Sequence, residues 1–126
     1  MKKKIVVFGV SSLILLSSVM PVSAATDPYV STNAYIGYAP GSSTLIKGKA
    51  YASTSNPNMT QLNIAGAYYQ NGVKKENGSN STTTKDYEVA WYSGNYSATV
   101  PASVQAASRT YYNGGSYDQD YDSYNW

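Results

Sequence analysis

The chain has 126 residues, with nine Lys and Arg, seven Asp and Glu, and neither His nor Cys. That inventory supplies no imidazole base, no thiolate nucleophile, no His- or Cys-held zinc and no disulfide, so triad hydrolases and most zinc enzymes are excluded. Lys2, Lys3 and Lys4 account for three of the nine cations; without them six Lys and Arg face seven acids, a net charge of −1, which leaves no basic face for nucleic acid or an anionic membrane.

The first element in chain order is a leader. Those three lysines precede an apolar stretch, Ile5 to Leu16, followed by the helix breaker Pro21 and the small-residue sequence Val22-Ser23-Ala24. This is the order of an export signal, with cleavage expected after Ala24. The apolar run is shorter than the roughly 20 residues needed to cross a bilayer, so no membrane span is expected in the mature protein. Without a cysteine, a lipid anchor at the cleavage site is excluded. The short lysine-led start has the style of a bacterial, Gram-positive leader. Residues 25–126 are then expected to work outside the cell and to be held by packing alone.

The mature part reads as strands. Val30, Ala34, Ile36 and Tyr38 share one parity over 29–38, and Pro40-Gly41 ends the run. Over 44–53, Ile46, Gly48, Ala50 and Ala52 share a face opposite Lys47, Lys49 and Tyr51, the pattern of a half-buried strand. After Asn56-Pro57-Asn58, Leu62, Ile64, Gly66 and Tyr68 alternate with Gln61, Asn63, Ala65 and Tyr69. Asn71-Gly72 then predicts a tight hairpin, because both central positions of that turn need positive φ. Residues 77–84, Asn-Gly-Ser-Asn-Ser-Thr-Thr-Thr, read as a polar connecting loop.

Tyr87, Val89 and Trp91 resume the alternation, and Trp91 is expected in the core on the strength of that shared face. Ser93-Gly94-Asn95 reads as a turn, Tyr96, Ala98 and Val100 as a further strand, which Pro101 either ends or marks as an edge, and 104–112 as the last strand of the domain. No window carries a helical period. Six or seven short strands punctuated by turns predict an all-β fold, a small antiparallel β-sandwich, with an open β-barrel as the alternative. The small inward residues predict closely spaced sheets. With all 14 tyrosines in the mature part, tyrosine is expected to be the main source of buried area. The organisation is thus a leader at 1–24, one domain at 25–115, and an acidic aromatic segment at 116–126 that is either a tail or an edge strand.

Lys49-Ala50-Tyr51-Ala52, the stretch Leu62 to Gly72 ending Tyr-Tyr-x-Asn-Gly, and Arg109 to Gly115 resemble small exported all-β proteins of Gram-positive bacteria. The likeness covers most of the mature chain and implies the fold, since those families are mostly without assigned activity. The aromatic ending, Tyr121 to Trp126, is similar to that of secreted lactococcin-like bacteriocins.

Three groups of residues carry candidate chemistry. Asp86 and Glu88 would stand about 7 Å apart on one strand face, a spacing open to paired-carboxylate glycoside hydrolysis, but surface acids of this kind are ordinarily solvated. Asp118, Asp120 and Asp122 open like a calcium loop, yet Ser123 replaces the glycine of the sharp turn and the chain ends before the closing bidentate Glu. Calcium is therefore the lesser reading and a solvated acidic tail the better one. Tyr117, Tyr121, Tyr124 and Trp126 are candidate ligand contacts, because exposed aromatic rings stack on sugars and anchor protein interfaces at small entropic cost.

The sequence thus predicts no enzyme and no cofactor. It predicts an exported binding module acting on cell-wall or extracellular glycan or on a protein partner. A bacteriocin-like antimicrobial protein and a matrix or surface structural protein are the alternatives.

Overall fold

A computed structural model describes residues 27–126; the expected leader and its cleavage site lie outside them. Seven strands, β1 (Val30–Tyr38), β2 (Leu45–Thr54), β3 (Met59–Gln70), β4 (Val73–Thr82), β5 (Val89–Ser97), β6 (Ala102–Tyr112) and β7 (Tyr117–Asn125), form two sheets. One has the order β1-β2-β5 and the other β4-β3-β6-β7, with every pairing antiparallel. The fold is a small β-sandwich, and the sheets do not close into a barrel. Among the described residues no helix is long and apolar enough to cross a membrane.

The predicted alternation fixes which faces meet. Ala34 and Ile36 of β1, Ile46, Ala50 and Ala52 of β2, Leu62, Ile64 and Tyr68 of β3, Val89 of β5 and Val104 and Ala106 of β6 form one buried cluster between the sheets. Most of these side chains are small or β-branched, which suits faces that must approach closely. The fully buried residues are mostly aliphatic, and most tyrosines stand at the margins of the core or on the surface. Tyr68 and Tyr69 are the buried tyrosines, whereas Tyr29, Tyr35, Tyr38, Tyr87, Tyr92 and Tyr117 are each at least half exposed. A phenol hydroxyl in a narrow core needs a partner, and the surface supplies water without rearrangement. On the outer face of β3 and β6, Ala65, Ala67, Tyr69 and Ala107 form a second cluster joined by Tyr121.

Asn71-Gly72 forms the predicted hairpin, with φ of 51° and 78°. Two other expectations are corrected. Residues 77–82 are not a loop but the second half of β4, with Ala67 opposite Asn77 and Leu62 opposite Thr82. An edge strand whose outer face meets solvent needs no apolar residues, so its composition imitates a connector. Ser93-Gly94-Asn95 does not turn the chain either. It lies within β5, where Lys47 faces Asn95 and Lys49 faces Tyr92, so Ser93 and Gly94 together oppose Gly48. The change of parity between Trp91 and Tyr96 is therefore a β-bulge, which keeps both residues packed toward the core. The buried Ser93 hydroxyl accepts the Gly48 N–H at 2.8 Å and donates to the Gly94 carbonyl at 2.7 Å, satisfying the disrupted ladder.

Trp91 packs against the core as expected, although Tyr87, which shares its parity, is exposed and precedes the strand. The indole lies across the paired glycines Gly66 and Gly78 of the opposite sheet.

The lateral edges are tied by side chains. At one, Asp122 of β7 accepts the Ala34 N–H of β1 at 2.9 Å. At the other, Glu76 of β4 accepts the Gly94 N–H at 2.8 Å and the Tyr96 hydroxyl at 2.5 Å, while Asn80 donates to the Ala90 carbonyl at 3.1 Å. The four-stranded sheet thus bonds backbone groups on both edges of the three-stranded one.

Candidate functional site

The segment 116–126 is an edge strand. It pairs with β6 from Tyr117 opposite Tyr111 to Asn125 opposite Ser103, and the Trp126 N–H continues the ladder to the Ala102 carbonyl at 2.9 Å. The reading as a flexible acidic tail is therefore replaced by a strand.

Pairing divides the four candidate aromatic residues by parity and does not bring them together. Tyr117 and Tyr121 share the outer face. The Arg109 guanidinium lies 4.4 Å from the Tyr117 ring, and Tyr111 is 5.5 Å away between ring centres. Tyr121 is half-buried in the outer cluster. Tyr124 and Trp126 point the other way and close β7 against β1, with ring centres 5.2 Å from Tyr35 and 5.3 Å from Tyr38. The Trp126 indole N–H also donates to the Ala98 carbonyl at 2.9 Å.

Asp118, Asp120 and Asp122 do share a side, but two of them already have partners. Asp122 holds Ala34, and Asp118 accepts from the Tyr112 hydroxyl at 3.2 Å. No group of three metal-ligating side chains capable of holding an ion occurs among the described residues. Asp86 and Glu88 are not on a strand face; Asp86 has a φ of 62° in the loop before β5 and lies 3.4 Å from Lys85, while Glu88 binds Lys49 at 2.9 Å.

The site that sequence reasoning missed is at one end of the sandwich, where the approach to β1, the β2–β3 turn and the β6–β7 hairpin meet. It is an open trough of about 600 Å³ lined by Asp27, Tyr29, Asn56, Asn58, Tyr112, Asn113 and Asp118 with Pro28. Each wall has a local cause. Asp27 Oδ1 accepts the Tyr29 N–H at 2.9 Å, a turn that launches β1. Asn56 accepts the Asn58 N–H at 2.9 Å through its side chain, so the predicted Asn-Pro-Asn turn is held by the same chemistry. The Asn113 N–H reaches the Asn58 carbonyl at 3.3 Å and joins the two loops.

Asp27 is the centre of this end and is only 5% exposed. Its second oxygen accepts Asn56 Nδ2 at 2.8 Å and the Tyr112 hydroxyl. Burial works to raise its pKa, but these bonds, with the Tyr29 amide, outweigh burial and hold the carboxyl below the ordinary value of 3.8. Tyr112 is moved the opposite way. Burial, then the bond to Asp27 and the neighbouring carboxylates, raise its phenol far above the usual range, so it remains a proton donor.

The floor of the trough is thus a saturated network, and its rim is not. The side chains of Asn58 and Asn113 make no bond within the described residues, and the Tyr29 ring is 56% exposed. The rim offers amide donors and acceptors, one carboxylate shared with Tyr112, and an aromatic face. No protein-family model matches the chain, and no match is found among curated proteins.

Proposed function

We propose that the chain is an exported, non-enzymatic binding module that takes a neutral sugar of cell-wall or extracellular glycan in the end trough. The observation that carries this reading is the combination of the exposed Tyr29 ring with the unbonded amides of Asn58 and Asn113 beside Asp118. A sugar presents an apolar ring face edged by hydroxyls that both donate and accept. An aromatic face with amides and a carboxylate answers both properties. Asp27 and Asp118 would repel an anionic residue at this position, which favours a neutral one.

The test is retention of the purified protein on insoluble polysaccharides and on peptidoglycan. Tyr29→Ala should weaken binding about tenfold, in line with the loss of one good aromatic contact, while Tyr29→Phe retains it. Asn113→Ala should weaken it further. Binding by none of these polymers, or binding indifferent to both alanine variants, overturns the proposal.

A further inference from the structure

The outer face of the three-stranded sheet carries a second chemistry. Strand register places Tyr35, Lys49 and Tyr92 side by side in one row across β1, β2 and β5. The tyrosines are 50% and 53% exposed. Two strand spacings separate them, roughly 10 Å, a length that a disaccharide unit spans. The Tyr35 ring lies over Gly37, where a Cβ would stand 2.7 Å from its edge, and beside Tyr124, with half of the residue left exposed.

Lys49 shows what the face already binds. Its ammonium lies 4.1 Å from the Tyr51 ring centre and 5.6 Å from that of Tyr92, and it holds the Glu88 carboxylate at 2.9 Å. Lys47, two residues earlier on the same face, lies 5.9 Å from the Tyr92 ring centre. It has no carboxylate partner among the described residues. The two ammonium groups thus share one aromatic ring, and the one carboxylate beside them is bonded to Lys49. The face has a net positive charge on a chain whose mature part is net negative, because Asp27, Asp118, Asp120, Asp122 and Glu76 lie elsewhere.

We infer that this face binds a hexuronate-bearing glycan, with sugar rings on Tyr35 and Tyr92 and a uronate carboxylate on Lys47 in the manner that Glu88 occupies Lys49. Ammonium groups beside aromatic rings favour an anion presented on an apolar body over a compact, fully hydrated ion. The surface is distinct from the trough, so either reading can fail alone.

The test measures affinity of the purified protein for oligogalacturonate, its methyl ester and inorganic polyphosphate at several salt concentrations. Oligogalacturonate should bind and the ester should not. Affinity should fall with salt, and Lys47→Ala and Tyr92→Ala should each weaken it about fivefold, the loss of one exposed cation or ring contact. Tyr92→Phe should bind as the parent does, and so should Tyr29→Ala, which alters only the trough. Circular dichroism confirms that the variants fold. Equal binding of the ester, indifference to Lys47→Ala, or binding of polyphosphate in place of oligogalacturonate overturns the inference.

Discussion

Trp91 occupies the space that a side chain at position 66 would need: a Cβ on Gly66 would stand 2.2 Å from the indole Cε3. Gly78, directly across from Gly66 on β4, is approached as closely, with Nε1 at 2.2 Å from its missing Cβ. The two glycines form a slot in one sheet for an aromatic ring carried by the other.

Gly66→Ala is expected to destabilise the protein by about 1–3 kcal/mol, the usual range for forcing a methyl into a packed interior. The Ala50 Cβ, 2.9 Å away, leaves no room on the other side. Trp91→Ala should cost about 3 kcal/mol by emptying the slot. The Gly66→Ala/Trp91→Ala double variant should cost clearly less than the two single changes combined. Denaturant melts of the four proteins check this, and additivity would show that the ring and the glycine do not oppose each other.

Gly72→Ala provides a contrast, since nothing lies within 4 Å of the added Cβ and the only cost is a φ of 78°. The expected loss is about 1–2 kcal/mol, with no change in denaturant sensitivity. The same melts measure it.

The edge bonds predict local rather than global effects. Asp122→Ala should speed hydrogen exchange at the Ala34 amide, and Glu76→Ala at the Gly94 amide, each by an amount equivalent to about 1–3 kcal/mol. Amides in the middle of β3 should be unaffected except through global stability. Uniform acceleration would mean that these bonds hold the whole fold and not its margins.

Two pH dependences follow from the trough and the bulge. Asp27 has a folded pKa below 3.8, so its contribution is complete above that value and is lost as pH falls through the lower folded value. Asp27→Asn should be less stable than the parent at neutral pH, with the difference shrinking in acid. Tyr96 is pushed up to about 12, first by its bond to Glu76 and then by burial. Its contribution is present below pH 10.0 and declines as pH rises through that folded value. Tyr96→Phe should remove part of the alkaline decline. Thermal melts across the pH range read both.

Much of the sandwich was legible because strand parity is a direct record of which face is dry. Ile46, Gly48, Ala50 and Ala52, read as one face, are all buried. The signal failed where one feature of composition has two physical causes. Asn77 to Thr82 are polar because β4 is an edge, and polarity alone does not separate an edge from a loop. Ser93-Gly94 breaks parity like a turn, although a bulge does the same without reversing the chain. The trough was illegible for a different reason. Asp27, Asn56 and the pair Asn113 and Asp118 come from three separate parts of the sequence, each is an ordinary turn or strand-end residue, and only the meeting of three connections makes them a site.

The edge bonds and the Trp91 slot also decide how the layers resist shear. Faces built largely from alanine, valine and isoleucine carry few long side chains that reach deep into the opposite layer. Here a ring is keyed into the opposite layer, with pins at both margins: Asp122 on Ala34, and Glu76 and Asn80 on β5. Sliding by one residue would lift the key and draw the pins on both margins together. The sheets are therefore indexed to each other like dowelled boards, and the trough, whose walls come from both layers, inherits that fixed alignment.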